Sequence, residues 1–181
     1  MALFDLIKHR RSVRGFLDKP VEREKIMKCL EAARLAPSAC NAQPWRFIVV
    51  DDEEVKDKLC HVAFGGIYAQ NSFCQKAPVI VVIVSERRRF LSASVGTLRG
   101  TKYYLIDIGI AGEHFILQAE ELGLGTCWIG WFNERAVKRV LSIPRHKKVD
   151  TLIALGYYHE KKSPAGHSRK PANEMSSFNS Y

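Results

Sequence analysis

The chain has 181 residues, 46% of them apolar, enough for the core of one domain and too many for a disordered polymer. A net charge of +9 raises nucleic acid as a partner. The basic clusters at 8–14, 87–89, 145–148 and 161–170 lie far apart without interleaved aromatics, so no nucleic-acid partner is expected. No apolar run reaches the ~18 residues of a membrane helix, and the N-terminus does not read as a secretory signal. The five cysteines lack Cys-x-x-Cys spacing, which argues against a disulfide framework or a zinc site. A cytoplasmic protein with no metal and no membrane partner is the expectation.

Leu3, Phe4 and Ile7 share one helical face and predict a short helix over 2–11. Gly15 and Asp18-Lys19-Pro20 interrupt it. Pro20 can open a second helix, continued by Ile26, Leu30 and Ala33 and ended near Ala36 by the restriction that Pro37 places on its predecessor. Pro37 to Pro44 is a polar loop, and Trp45 to Val50 a strand. Asp52 can cap a third helix reaching Val62, with Val55, Leu59 and Val62 on its apolar side. Residues 64–76 read as loop or weak helix. Val79 to Val84, an unbroken apolar run, reads as a strand covered on both faces.

Ser85 to Gly100 reads as a mobile surface loop. Lys102 to Leu122 is the longest helical stretch. Leu105, Ile108, Ala111/Gly112, Phe115, Ala119 and Leu122 form its stripe, widened by Ile106, Ile110 and Leu117, which suits a domain centre or an interface. Gly123 and Gly125 end it and lead into a strand over Thr126–Gly130. Asn133 can cap a short helix carrying Val137, Val140 and Leu141 and stopped by Pro144. Asp150 to Tyr157 is the last strand. From Tyr158 the tail is polar, and Phe178 and Tyr181 suit docking on another surface. The sum is an α+β chain of four or five strands in one domain spanning 1–181.

Dinucleotide, P-loop and His-Glu-x-x-His motifs are absent. His114 reads as a satisfied histidine, Asp107 as an ordinary ion-pairing acid, and Cys40, in a loop with no sequence signal of reactivity, as structural or incidental. Three stretches remain for chemistry. Arg10, Arg11, Ser12 and Arg14 form either an anion clamp, because guanidinium forks match phosphate oxygens, or a solvated charge run. Ser38, Asn41 and Gln43 form either the polar edge of a heterocycle site or a turn. Gly125 to Gly130 is either a strand end open to a flat ligand or, at Trp128, core.

Taken in order along the chain, these pieces resemble the nitroreductase-like flavin enzymes. The matching residues are Arg10–Arg14, Ala36-Pro37-Ser38 with Asn41-Ala42-Gln43-Pro44-Trp45, Leu122 to Gly130, Leu155-Gly156-Tyr157 and Arg169-Lys170-Pro171. The resemblance implies a central, mostly antiparallel sheet flanked by helices and an intertwined homodimer, with the tail from about 158 to 181 lying over the partner subunit. It implies FMN as bound cofactor and NAD(P)H as transient reductant. Arg10, Arg11 and Ser12 would hold the phosphate and ribityl end, with Arg169 closing from the tail. Arg14 would face the flavin N1 and C2 carbonyl. Ser38, Asn41 and Gln43 would meet the other subunit's flavin, and Trp128, Ile129 and Gly130 would line its ring.

The resemblance also implies no catalytic side chain beyond Arg14 as an electrostatic stabiliser, because the redox chemistry belongs to the cofactor. The implied reaction is ping-pong reduction of a nitroaromatic or quinone. Dehalogenation, flavin destruction or reduced-flavin supply on the same fold is the alternative, and a basic nucleic-acid module is the remote one. The loops 64–76 and 86–101 would choose the acceptor. Trp131 stands where many relatives carry a smaller residue, and would either narrow the pocket or pack in the core.

Overall fold

A computed structural model of the protein describes residues 2–86, 100–159 and 169–181. In chain order the elements are α1 (Leu3–His9), α2 (Arg23–Arg34), a 3₁₀ turn (Ala39–Asn41), β1 (Trp45–Val50), α3 (Glu53–Ala63) and a 3₁₀ segment (Gly66–Lys76). They continue with β2 (Val79–Ser85), α4 (Tyr103–Glu121), β3 (Gly125–Ile129), α5 (Glu134–Val140), β4 (Lys148–Gly156) and α6 (Ala172–Met175). The stretch 87–99, most of the expected loop 86–101, lies outside the described residues, as does 160–168 of the tail.

The strands form one α+β sheet in the order β1-β2-β4-β3, every neighbour antiparallel. β2 is central and buried throughout, as its apolar run requires. Its side chains alternate between two cores. Ile80, Val82 and Val84 join Leu59, Cys60 and Val137 on the α3–α5 face. Val79, Val81 and Ile83 join Ile26, Phe115 and Ile153 on the α2–α4 face. One register shift between Ile83 and Val84 interrupts the β2–β4 ladder.

Local chemistry sets the boundaries. Asp52 accepts the Val55 N–H at 3.0 Å and caps α3; Asn133 accepts the Ala136 N–H at 3.1 Å and caps α5. Gly123 takes φ 75° after α4, and the Leu124 N–H returns to the Ala119 carbonyl at 2.9 Å, so the turn into β3 closes with its carbonyls satisfied.

Two expected faces differ from the structure. On α3 the buried side is Lys56, Leu59, Cys60 and Ala63, one residue on from the expected set, and Val55 is exposed. Small and amphipathic side chains fill that contact, and the Lys56 stem is covered while its ammonium reaches the Gln75 carbonyl at 3.2 Å. On α1 the face of Leu3, Phe4 and Ile7 is exposed and only Leu6 is buried. At the start of α4, Leu105 and Ile106 are exposed as well. Among the described residues no helix is long and apolar enough to cross a membrane.

Candidate functional site

The arginine segment is held by the sheet. After α1 the chain lies along the free edge of β3, with a parallel bridge between Ser12 and Thr126 and the Val13 N–H donating to the Thr126 carbonyl at 2.8 Å. Val13 is buried, and a Cβ on Gly125 would lie 2.6 Å from its Cγ2. A glycine at the start of β3 is therefore what lets the two backbones approach.

One buried thiol on β3 feels the charge of two of these arginines. Burial pushes the Cys127 thiol up, opposed by the charge of Arg14, a hydrogen bond with Ser12 and the charge of Arg10. Burial likewise pushes up the Cys74 thiol, slightly opposed by the charge of Arg14, whose guanidinium lies 5.9 Å from the centre of the Phe73 ring. Among the described residues one carboxylate is ion-paired with these arginines. Glu113 of α4 sits 3.8 Å from Arg10 Nε, and among the described residues Arg11 and Arg14 have no ion-pair partner. His9 lies 3.9 Å from Glu120, so the end of α1 is seated on α4.

The loop 38–44 is organised by shape. Cys40, Asn41 and Gln43 take φ of 52°, 51° and 44°, in the left-handed region that non-glycine residues seldom enter. Three contacts hold that conformation. The Ala39 N–H donates to Asp107 Oδ1 at 3.0 Å, the Gln43 N–H to Ser38 Oγ at 3.0 Å, and Gln43 Nε2 to Asn41 Oδ1 at 2.9 Å. The amide pair leaves the Asn41 nitrogen as donor and the Gln43 oxygen as acceptor. A cleft of about 450 Å³ opens beside them, lined by Cys40, Asn41, Gln43, Trp45, Arg46 and Glu86.

Both segments are anchored on α4, at Asp107 and Glu113. The helical rise puts these anchors roughly 9 Å apart. No hydrogen bond or ion pair among the described residues joins Ser38, Asn41 or Gln43 to Arg10–Arg14. Arg169 stands exposed on the tail, with no ion pair or hydrogen bond among the described residues.

The end of β3 divides. The Trp128 ring packs on α4, where a Cβ at Gly112 would lie 2.1 Å from it, and Ile129 is buried in the opposite core. Gly130 is exposed, and a Cβ there would meet nothing within 4 Å. Of these three residues Gly130 is exposed, Trp128 is half-buried and Ile129 is buried. Trp131 is exposed, so the core reading of that residue is excluded. His114 donates from Nδ1 to the Ala32 carbonyl at 3.2 Å, a satisfied histidine as expected. Cys40 is exposed.

The sequence reading of Asp107 as an ion-pairing acid differs from the structure, where it is 4% exposed, fixes the strained loop and has no ion pair among the described residues. The signal was present, as an acid within the apolar face of a long helix. Cys127 and Glu113 were also missed, because nothing local marks them.

The donor set fits a phosphate monoester carried by a flat polar ring system. The edge carries three guanidiniums and a hydroxyl, and among the described residues only Arg10 is paired, with the half-exposed Glu113, so it keeps net positive charge in forks suited to phosphate oxygens. A cation beside Phe73 and an amide pair by a cleft suit the ring. No group of three or more His, Cys, Asp or Glu among the described residues could hold a metal.

Comparison with known proteins gives one consistent match. The model of the Nitroreductase family matches residues 7–157. An NADH dehydrogenase of Thermus thermophilus is 30% identical over 182 residues, covering 86% of this chain and 86% of the relative. An iodotyrosine deiodinase of Thermotoga neapolitana is 25% identical, covering 96% and 95%. Among solved structures, an FMN-dependent nitroreductase from Clostridium difficile R20291 superposes with a TM-score of 0.79 at 31% identity, covering 98% of this chain and 99% of that one.

Proposed function

The chain belongs to the nitroreductase family, and from that membership we propose that it is an NAD(P)H-dependent flavin oxidoreductase that binds FMN and works as a cytoplasmic homodimer. The observation that carries this reading is the arginine segment laid along the edge of β3, Ser12 bridged to Thr126, with Glu113 the one carboxylate ion-paired to its arginines among the described residues. The chemistry that bound FMN supplies is hydride transfer, in a ping-pong cycle, from NAD(P)H to an electron-poor acceptor of nitroaromatic or quinone type.

Arg10, Arg11 and Ser12 bind the phosphate and ribityl end, and Arg169 closes on it from the tail. Arg14, beside Phe73, would hold the N1 and C2-carbonyl end of the ring, and its charge would favour the reduced flavin anion. Ser38, Asn41 and Gln43 present a hydroxyl and a fixed amide pair to a ring. Gly130 leaves the ring room to approach, while Trp128 and Ile129 hold β3 in place behind it. No side chain is required to move a proton in the hydride step, which matches a site of cations and amides rather than of bases.

A second copy completes the site. Leu3, Phe4, Ile7, Leu105 and Ile106 leave an apolar surface along α1 and the start of α4. Met175, Phe178 and Tyr181 stand exposed on a tail that has no core of its own. One domain spanning 1–181, with its tail from about 158 laid over the partner, accounts for both. It also brings the loop at 38–44 of one subunit to the arginine edge of the other. The deiodinase relative favours a second reading, reductive dehalogenation on the same site.

Purified protein should be yellow, release FMN on denaturation, and bleach with NADH or NADPH under anaerobic conditions. Protein that takes up no added FMN contradicts the proposal. A flavin that neither nucleotide bleaches favours the dehalogenase reading.

A further inference from the structure

Trp131 is exposed and yet immobilised. Its indole is 51% exposed, but its N–H donates to the Ile67 carbonyl at 3.1 Å, its own carbonyl accepts from Asn71 Nδ2 at 2.8 Å, and its ring meets Tyr68 with centroids 5.2 Å apart. Fixing a large side chain costs rotamer entropy, and here that cost is met without burying the ring. The result is a free aromatic face in one orientation.

The position of that face matters. All three anchors lie in the segment Gly66–Lys76, whose far end carries Phe73, 5.9 Å from the Arg14 guanidinium. On its other side Trp131 follows Gly130, beside which the space is open. One short segment thus carries both the ring beside the Arg14 cation and the anchors of the fixed indole.

Resting on the site reading above, we propose that Trp131, braced by Tyr68, is the residue that determines acceptor specificity: its indole stacks flat, electron-poor aromatic acceptors and offers nothing comparable to non-aromatic ones. Indole is electron-rich, so a ring depleted by nitro or carbonyl groups is attracted to its face in an offset stack. The contacts to Ile67, Asn71 and Tyr68 set the orientation in advance, so little ordering remains to be done when an acceptor binds.

The test uses FMN-loaded wild type, Trp131→Ala and Trp131→Phe. Binding of 2-naphthoate, a flat aromatic with no reducible group, is followed by equilibrium dialysis; kcat/KM is compared for a nitroarene and for ferricyanide; oligomeric state is checked by gel filtration. Trp131→Ala should weaken naphthoate binding about tenfold, which is 1.4 kcal/mol, and lower the nitroarene-to-ferricyanide ratio by a similar factor. Trp131→Phe, which keeps a π face but not the N–H, should restore most of both. Unchanged naphthoate binding in Trp131→Ala overturns the proposal. So does equal loss in Trp131→Phe, which would assign the effect to the hydrogen bond, and so does a monomeric Trp131→Ala, which would make the residue part of a subunit interface. Wild-type protein that binds no FMN overturns the site reading itself, an outcome the other results do not mimic.

Discussion

The two segments anchored on α4 are built by opposite means. The arginine segment has ordinary backbone geometry, pinned to the edge of β3, and unbalanced charge. The loop at 38–44 has no charged side chain and unusual geometry, with three left-handed residues in four positions held by the buried carboxylate of Asp107. The first stores electrostatic potential on a rigid edge, and the second stores conformational strain in a turn. A ligand phosphate would relieve the repulsion at the first. Nothing needs to bind for the second to hold its shape. The contrast separates what should change cofactor affinity from what should change folding.

Arg10→Ala tests the charged side and should have the largest effect. Loss of one charge-assisted phosphate contact should weaken FMN binding by about 2 kcal/mol or more. The urea midpoint of the apo-protein should hold or rise, because the like charges of Arg11 and Arg14 lose a neighbour. Asp107→Ala tests the other side. It leaves the Ala39 N–H without its acceptor and should cost about 1–2 kcal/mol of folding stability by urea denaturation, with FMN affinity falling only through the loosened loop. If both variants lowered affinity and stability alike, the division between the segments would fail.

Glu113→Gln sharpens the charged side at the smallest scale. The Glu113 carboxylate competes with a ligand anion for Arg10, and it is half-exposed at 3.8 Å, so the competition is screened. FMN should bind more tightly in the variant by about 0.5 kcal/mol, measured by fluorescence titration. Weaker binding would mean that Glu113 orients Arg10 rather than competing for it.

The contrast also marks what the sequence could disclose. β1 from Trp45 to Val50, the buried run of β2, and the caps at Asp52 and Asn133 were legible, because β-branched runs and capping side chains act within a few residues. The arginine cluster was legible as a concentration of charge. Its seat along the edge of β3 was not, since that depends on Ser12 pairing with Thr126 across more than half the chain. Period analysis identified α1 as a helix but could not say that Leu3, Phe4 and Ile7 face outward. It set the face of α3 one residue early, because Cys60, Ala63 and the stem of Lys56 fill the contact in place of Val55 and Val62. Asp107 was read as a common ion-pairing acid, and only the tertiary approach of Ala39 shows what it holds.

The central claim is that the edge from Arg10 to Arg14 exists to take a phosphate. FMN and riboflavin differ only by that phosphate, so titrating the apo-protein with each tests it most directly. The account predicts that FMN binds about 30-fold more tightly or better, corresponding to about 2 kcal/mol, and that Arg10→Ala narrows the gap. Equal affinity for the two flavins, or a gap untouched by Arg10→Ala, would contradict it.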